Sequence, residues 1–504
     1  MASRYTASLY NYLFNTVNTV VVIINGIVLV PVYFHYISLS TYGAWLASGN
    51  VVGMLGLLEA GFASVITQKL SASISKKDEK QFQKLAGANV LSSLIIGLTM
   101  FFLGILISSR VPSWVNCDAT DANDIRLAFL ISLSSTCIGL LVSFMGAFPQ
   151  VWQKTKAIGI INVFTNILSI LSLIIYLLCG LKILSIPLSY LTRAIANMLF
   201  QGGWIYKYWK ISETPRPVFD IAVLLIVLKA CFFPLVSKIA NALAGHSQSF
   251  LLAFFINPTI SAVYELTSKV AKNLCTFISN ANGSFFALFA LTISKGDIAE
   301  TNNVFKKISS LFIFALLGSM MLTLFSTKVF MNYWVGLDKF GGYLLLALII
   351  LDVIYTTLNG YINNVMYCAG LINKSAILDM LKMGVYMVLL LGLIPVLHEY
   401  SVPLTSFITS TLFLIWYFRL LAKIEKINIY PTIKYLSVLS IISLVFIVFG
   451  FFVDLYFNNI LLLALLNFLL FVLCFIALSM ADKAVIAIII CRVPVLKKIA
   501  KKHN

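Results

Sequence analysis

The sequence of 504 residues is 60% hydrophobic and only 11% charged, with a net charge of +18. An ordinary soluble domain is about 25% charged, so this composition excludes a mainly soluble protein and indicates one that lies largely in a membrane. The excess of Lys and Arg over Asp and Glu, 36 against 18, favours cation-rich cytoplasmic loops over nucleic-acid binding.

About fourteen apolar runs follow one another along the chain, each near the length of about 20 residues that a helix needs to cross a bilayer. We therefore predict an all-α polytopic membrane protein. The run at 251–292 is long enough for one broken helix, or for a re-entrant piece followed by a helix. The predicted spans are 13–34, 43–66, 85–108, 126–148, 157–180, 184–205, 222–245, 251–292, 308–327, 341–365, 375–397, 402–422, 435–454 and 459–481.

The loops and one polar stretch predict how the spans are organised. Alternate loops carry most of the lysines and arginines, which places both termini in the cytoplasm. Residues 206–220 contain two prolines and no apolar period, and they separate six spans from the eight that follow. We predict an N-terminal six-helix lobe over 1–210, a C-terminal six-helix lobe over 211–425, and two further helices with a basic cytoplasmic tail over 426–504. Duplicated bundles of this kind surround a central cavity in many transporters.

Polar residues inside the first seven spans are the first candidates for a substrate site. Asn18 and Asn25 belong to an asparagine stripe in the first span, which forms interhelical hydrogen bonds or lines a cavity. Arg193 lies at mid-depth in the sixth span, with Asn197 one turn on, and must face a partner acid or a wet cavity. A guanidinium binds phosphate through two parallel hydrogen bonds. Lys238 in the seventh span is a further deep cation.

The eighth span carries Glu265, Lys269 and Lys272 at spacings of four and three, which put all three on one helix face. The order Glu265 before Lys269 favours an ion pair and leaves one lysine for an anionic ligand. The alternative is that this stretch lies at the outer interface. Because deep cations outnumber acids in these spans, we expect a cavity that attracts anions.

The tenth and eleventh spans supply the remaining ionisable candidates. Asp352 and Asn359 share a face of the tenth span, and Asp352 could bind a proton or cation, as could Glu265, or pair with a nearby lysine. Asp379 and Lys382 lie near the predicted cytoplasmic end of the eleventh span, where we expect an ordinary interfacial pair.

Several motifs of enzymes are missing from the sequence. It contains no G-x-x-x-x-G-K-[ST] phosphate loop, no H-E-x-x-H and no G-x-S-x-G. The eight cysteines include no Cys-x-x-Cys pair and no His cluster accompanies them, so we predict no metal and no cofactor. A polymerase or ligase that joins sugar units would need a long outer loop rich in Arg and His, and the longest, at 109–125, has few. We therefore predict no catalytic residues and a protein that is not an enzyme.

Three short segments resemble bacterial polysaccharide exporters. In the second span, Tyr42, Gly43 and Trp45 are followed by Glu59 and Gly61, where family members usually have aspartate in place of Glu59. The two other similar segments are a Trp-x-Gly loop at 332–340 and a short turn at 366–377. The chain resembles the multidrug/oligosaccharidyl-lipid/polysaccharide superfamily, and within it the Wzx-type flippases of O-antigen or capsule repeat units.

This resemblance implies two lobes that open alternately inward and outward, with two helices added. It implies export of an undecaprenyl-pyrophosphate-linked oligosaccharide across the bacterial inner membrane, in lipopolysaccharide or capsule synthesis. A polysaccharide polymerase and a chain-length regulator would be its protein partners, beside membrane lipid. The alternative within the superfamily is a cation-coupled antiporter of small molecules, which an acidic cavity would favour.

Overall fold

The computed structural model describes residues 2–57, 62–76, 78–152, 154–211, 216–294, 298–424, 427–457 and 459–480. Within these ranges the chain forms helices and turns and no strand. Short 3-10 turns at Lys182–Leu184, Leu337–Lys339 and His398–Tyr400 precede three of the helices. The helices are α1 (Ala2–Tyr36), α2 (Leu39–Gly56), α3 (Phe62–Ser75), α4 (Glu79–Ser108), α5 (Val111–Trp114), α6 (Ala122–Met145), α7 (Ala147–Val151), α8 (Thr155–Leu178), α9 (Ser185–Ile211), α10 (Ile221–Phe255), α11 (Pro258–Ser294), α12 (Ile298–Trp334), α13 (Gly342–Cys368), α14 (Ile372–Leu397), α15 (Ser401–Ile424), α16 (Tyr430–Tyr456) and α17 (Ile460–Met480).

Ten stretches in the described part are long and apolar enough to cross a membrane, and one of them, Asn373–Lys423, contains both α14 and α15. Inside a bilayer a helix satisfies its own backbone hydrogen bonds, which explains why apolar runs of this length become helices. The predicted all-α polytopic membrane fold is confirmed, whereas the predicted count of about fourteen spans is not.

The helix ends follow local sequence signals. Ser38 and Asp78 cap α2 and α4 by accepting hydrogen bonds from the backbone of Thr41 at 3.1 Å and Gln81 at 2.9 Å. After α13, Gly370 adopts a φ of +74°, a left-handed conformation that favours glycine, and the chain turns into α14. The predicted turn at 366–377 is therefore present.

The region predicted as one long broken span divides differently. Residues 251–255 complete α10, and α11 then runs as one continuous helix from Pro258 to Ser294. Asn257 separates the two helices, and its side chain accepts a hydrogen bond from the backbone of Ile260 at 2.7 Å. Pro258 suits a first helical turn, where its missing N–H leaves no bond unmade. No re-entrant piece occurs within the described residues of this region.

The chain forms two compact units, Met1–Ala262 and Val263–Asn504, which we call unit 1 and unit 2. In unit 1, α6 packs against α2, α4 and α9, and α10 packs against α2, α3 and α4. Because α10 packs within unit 1, this unit ends later than the predicted lobe boundary at 210. In unit 2, α13 contacts α12, α14, α15 and α16, and α17 packs against α12 and α16. The predicted tail at 483–504 lies outside the described residues.

Candidate functional site

Unit 1 contains a set of amide and hydroxyl side chains between α1, α8 and α9, which we call the amide cluster. The Gln201 amide donates to the side-chain oxygens of Asn162 at 2.8 Å and of Asn197 at 3.2 Å. Asn197, predicted as a cavity residue, is buried and also accepts from the Thr165 hydroxyl at 2.9 Å. The members of the amide cluster are Asn18, Asn162, Thr165, Asn166, Asn197 and Gln201.

The two asparagines predicted from the first span have different surroundings. Asn18 accepts a hydrogen bond from the Asn166 amide, so it joins α1 to α8. The side-chain oxygen of Asn25 is buried and has no hydrogen-bond partner among the described residues. Hydrogen bonds between membrane helices stabilise by about 0.6 kcal/mol on average, so the Asn18 bond accounts for a modest packing role. Asn25 therefore retains an acceptor that no described group occupies.

Arg193 lies in unit 1 near phenol groups. It is the ninth residue of α9, partly exposed, and it interacts electrostatically with Tyr190 one turn before it. Tyr190 in turn interacts with Tyr33 of α1, whose ring centroid is 6.0 Å from that of Tyr42. In the described part of the chain no carboxylate forms an ion pair with Arg193. Its guanidinium therefore keeps donors that no described carboxylate occupies, and the binding of an anion by Arg193 stays a prediction.

The predicted charged face of α11 is present in unit 2, with a different ion pair from the one expected. Lys272 binds Glu265 at 3.2 Å, two turns along the helix, and its ammonium lies 5.0 Å from the centre of the Tyr264 ring. Lys269 lies in the field of the same carboxylate and is partly exposed. The sequence predicts an ion pair of Glu265 with Lys269, whereas in the structure Lys272 reaches back to the acid and Lys269 is the lysine without an ion pair in the described part.

Asp352 of α13 is buried, with 6% of its surface exposed. It accepts a hydrogen bond from Thr356 on its own helix at 2.9 Å and another from Ser406 of α15. Asn359, on the same face, donates to the Ser410 carbonyl at 2.9 Å, while its own side-chain oxygen has no partner in the described part. A buried carboxylate with hydroxyl donors can hold a proton or a small cation.

Asp379 and Lys382 belong to this buried region, which the sequence analysis missed. Only 1% of Asp379 and 9% of Lys382 is exposed, so the expected interfacial pair is wrong. Asp379 accepts from Asn363 at 2.9 Å and from Tyr417 at 2.5 Å, and Lys382 lies in the field of both Asp379 and Asp352. These partners come from α13 and α15, so only tertiary packing shows that the pair is buried.

The electrostatic balance of unit 2 differs from the predicted excess of cations. The ionisable groups brought together there are the lysines at 269, 272 and 382 and the acids at 265, 352 and 379, which balance one another. Arg193 belongs to unit 1, and the side chain of Lys238 lies outside the described residues. The role of these cations in binding an anion stays a prediction.

Residues 8–290 match the protein family described as polysaccharide biosynthesis protein. The match covers more than half of the chain. This chain belongs to that family. No curated protein sequence matches it significantly. The predicted relationship to polysaccharide exporters is confirmed.

The fold is similar to those of solved membrane transporters. The lipid II flippase MurJ in an inward closed conformation superposes with a TM-score of 0.70 at 13% identity, covering 94% of this chain and 98% of MurJ. An inward-facing multidrug resistance MATE family transporter of the MOP superfamily gives a TM-score of 0.65 at 13% identity, covering 81% of this chain and 96% of the transporter. A eukaryotic MATE transporter gives 0.63 at 12% identity, covering 86% and 99%. At such identities the likeness establishes the fold alone, a multi-pass transporter fold.

Proposed function

We propose that this polysaccharide biosynthesis family member is a flippase for lipid-linked oligosaccharides. It moves an undecaprenyl-pyrophosphate-linked repeat unit of O-antigen or capsule from the cytoplasmic to the periplasmic leaflet by alternating access. It lies in the bacterial inner membrane with both termini in the cytoplasm, and it catalyses no chemical step. A polysaccharide polymerase and a chain-length regulator then act on the exported unit.

The observation that supports this proposal most is the combination of family and fold. A member of a polysaccharide biosynthesis family could transfer sugars or move them. The described part of this chain contains ten stretches that are long and apolar enough to cross a membrane, and its fold is similar to that of a lipid II flippase and of multidrug transporters. Of the two roles, this fold favours movement of the sugar-carrying substrate across the bilayer.

Within this proposal the cations bind the pyrophosphate and the amides bind the glycan. Arg193 has donors that no carboxylate occupies in the described part. Lys269 is partly exposed and lies next to the ion pair of Lys272 with Glu265. The amide cluster offers both donors and acceptors to sugar hydroxyls. Protonation or cation binding at Asp352 or Glu265 biases the two states of the transporter.

The test is a deletion strain complemented by single variants. Deletion should cause the lipid-linked repeat unit to accumulate on the cytoplasmic leaflet, and the native chain should restore surface polysaccharide. Arg193→Ala and Lys269→Ala should fail to restore it at normal protein levels, while Arg126→Ala, an exposed arginine of α6, should succeed. Absence of the accumulated intermediate would refute the flippase, and export by both cavity variants would refute the anion-binding role.

A second candidate is a cation-coupled antiporter of small molecules, which the buried acids of unit 2 favour. Asp352 and Asp379 are both buried, and carboxylates of this kind bind cations or protons. In proteoliposomes an antiporter should expel a cationic dye when a proton or sodium gradient is imposed, and Asp352→Asn should abolish that efflux. A lipid-linked oligosaccharide should then not move in the same vesicles.

A further inference from the structure

Unit 1 holds a polar pocket next to the amide cluster that the sequence does not predict. Its volume is about 310 Å³, and it lies between α6, α7, α8 and α9, with Phe14 of α1 at one wall. Its polar lining comes from Ser143, Gln150, Asn162 and Gln201, together with Thr155. None of the described side chains that line it is charged.

We propose that this pocket binds a neutral sugar ring of the transported glycan, an inference that rests on the flippase function proposed above. Amide and hydroxyl groups both donate and accept hydrogen bonds, as sugar hydroxyls do. A pyrophosphate or an acidic sugar would find no cation here to balance its charge. The lining thus favours the uncharged part of the substrate, whereas Arg193 is proposed to bind the phosphate.

Gln201 is already held in position to receive such a ligand. It is 3% exposed, and its amide nitrogen is occupied by Asn162 and Asn197. Within the described chain, its side-chain oxygen makes no hydrogen bond. The two bonds fix the plane of the Gln201 amide and therefore the position of its oxygen. Because this side chain is already ordered, binding of a sugar hydroxyl to the oxygen costs little side-chain entropy.

The place of the pocket in unit 1 suits loading of the substrate. Its wall includes Gln150 of α7 and Thr155, the first residue of α8, and α9 continues from Gln201 to a basic end with Lys207 and Lys210. Cation-rich ends of this kind are predicted to face the cytoplasm. A volume near the small end of the range of about 300–1,000 Å³ for ligand pockets fits part of an oligosaccharide. The pocket would therefore hold one end of the glycan before translocation.

Two glycines allow the pocket to be filled with a matched control. A Cβ at Gly139, which lines the pocket, would meet nothing within 4 Å, so Gly139→Leu should project into open space without a clash. A Cβ at Gly203 of α9 also meets nothing within 4 Å, and this residue does not line the pocket. Both changes replace a helical glycine with a better helix former, so they should affect folding alike.

The experiment measures binding of methyl glycosides of glucose, galactose and N-acetylglucosamine to the purified full chain by saturation-transfer NMR, with glucuronate as the charged comparison. At least one neutral glycoside should bind, and glucuronate should not. Binding should vanish in Gly139→Leu, persist in Gly203→Leu, and weaken about 10-fold in Gln201→Met, which removes the acceptor for the sugar hydroxyl together with the two bonds to Asn162 and Asn197. Absence of binding by every neutral glycoside, or equal binding in Gly139→Leu and Gly203→Leu, would overturn the proposal.

The deletion strain separates failure of this inference from failure of the proposed function. If the lipid-linked unit accumulates on deletion but Gly139→Leu binds glycosides normally, the flippase stands and the sugar pocket is refuted. If the glycosides bind as expected but nothing accumulates, the pocket stands as a sugar site and the flippase is refuted. Gln201→Met, which changes neither charge nor backbone, keeps both readouts interpretable if Gly139→Leu fails to fold.

Discussion

Gly43, the glycine of the Tyr-Gly-x-Trp segment, lies where α2 touches backbone within unit 1. A Cβ at this position would lie 1.8 Å from the carbonyl oxygen of Pro258 and 2.6 Å from its carbonyl carbon. Both atoms belong to the main chain at the start of α11, so neither can rotate away as a side chain could. Gly43→Ala must therefore move α2 or this backbone, and we expect it to destabilise unit 1.

The size of this effect follows from a comparison with Gly49 on the same helix. Inserting a carbon into a packed contact costs about 1–3 kcal/mol and occasionally more. A Cβ at Gly49 meets nothing within 4 Å, so Gly49→Ala should keep the gain of up to about 1 kcal/mol that alanine has over glycine in a helix. We expect Gly43→Ala to unfold at a lower temperature than Gly49→Ala, by roughly 2–4 °C for each kcal/mol that separates them.

The measurement is thermal unfolding of the full chain in detergent, followed by tryptophan fluorescence and by recovery of the monodisperse protein after heating. Both variants and the native chain are compared at one detergent concentration. Equal melting temperatures for Gly43→Ala and Gly49→Ala would show that the backbone contact is not close. The argument that Gly43 is required by packing would then fail.

Three further predictions concern charged or reactive groups. Asp379→Ala removes a carboxylate beside buried Lys382 and should cost about 3–5 kcal/mol of stability, more than Asp379→Asn, in thermal unfolding. The hydrogen bond from Lys84 lowers the pKa of Asp220. The contribution of this carboxylate to folding stability is therefore complete above the ordinary carboxyl pKa and is lost as pH falls through the lowered pKa. Asp220→Asn should abolish this contribution to the pH dependence of stability, as measured by acid unfolding. Burial, followed by the field of nearby aspartates, raises the pKa of Cys117 to about 11, so maleimide should label it about 100-fold more slowly than an ordinary thiol at neutral pH, as measured by mass shift.

Each of these predictions has a control within the chain. Asp379→Ala and Asp379→Asn both remove the charge, and Asp379→Asn keeps groups that form hydrogen bonds, so native stability in both variants would contradict a buried ionic role. Identical acid midpoints in the native chain and Asp220→Asn would show that the carboxylate of Asp220 does not contribute to the pH dependence of stability. Cys179 is an exposed thiol, and labelling of Cys117 as fast as Cys179 in single-cysteine variants would contradict the raised pKa.

The sequence predicts the helices well because lipid leaves the backbone few alternatives. The backbone of an apolar run of about 20 residues must form its own hydrogen bonds in lipid, so the spans can be predicted without any knowledge of packing. Turns with strong local chemistry are visible too, as the left-handed Gly370 between α13 and α14 shows. The boundary between α10 and α11 was misplaced because apolar residues lie on both sides of the corner at Asn257, where the capping bond to Ile260 begins α11.

The polar interior was harder to predict, because its partners are distant in sequence. The i, i+3 spacing of Asp379 and Lys382 is the same for an interfacial pair and for a buried one. What distinguishes them is the contact with Asn363 and Tyr417, which come from neighbouring helices. Likewise, the spacing within α11 allows Glu265 to pair with either of two lysines, and the structure selects the more distant one.

The two units therefore carry different polar interiors, and this difference has a functional consequence. Unit 1 uses uncharged amides around Gln201 and one arginine without a carboxylate partner in the described part, whereas unit 2 uses carboxylates and lysines that balance one another. Neutral amides recognise sugars at any physiological pH, while a balanced ionic set responds to protons and cations. If the proposed flippase divides its tasks in this way, neutralising Asp352 should change the dependence of transport on pH or sodium and leave glycoside binding to unit 1 unchanged.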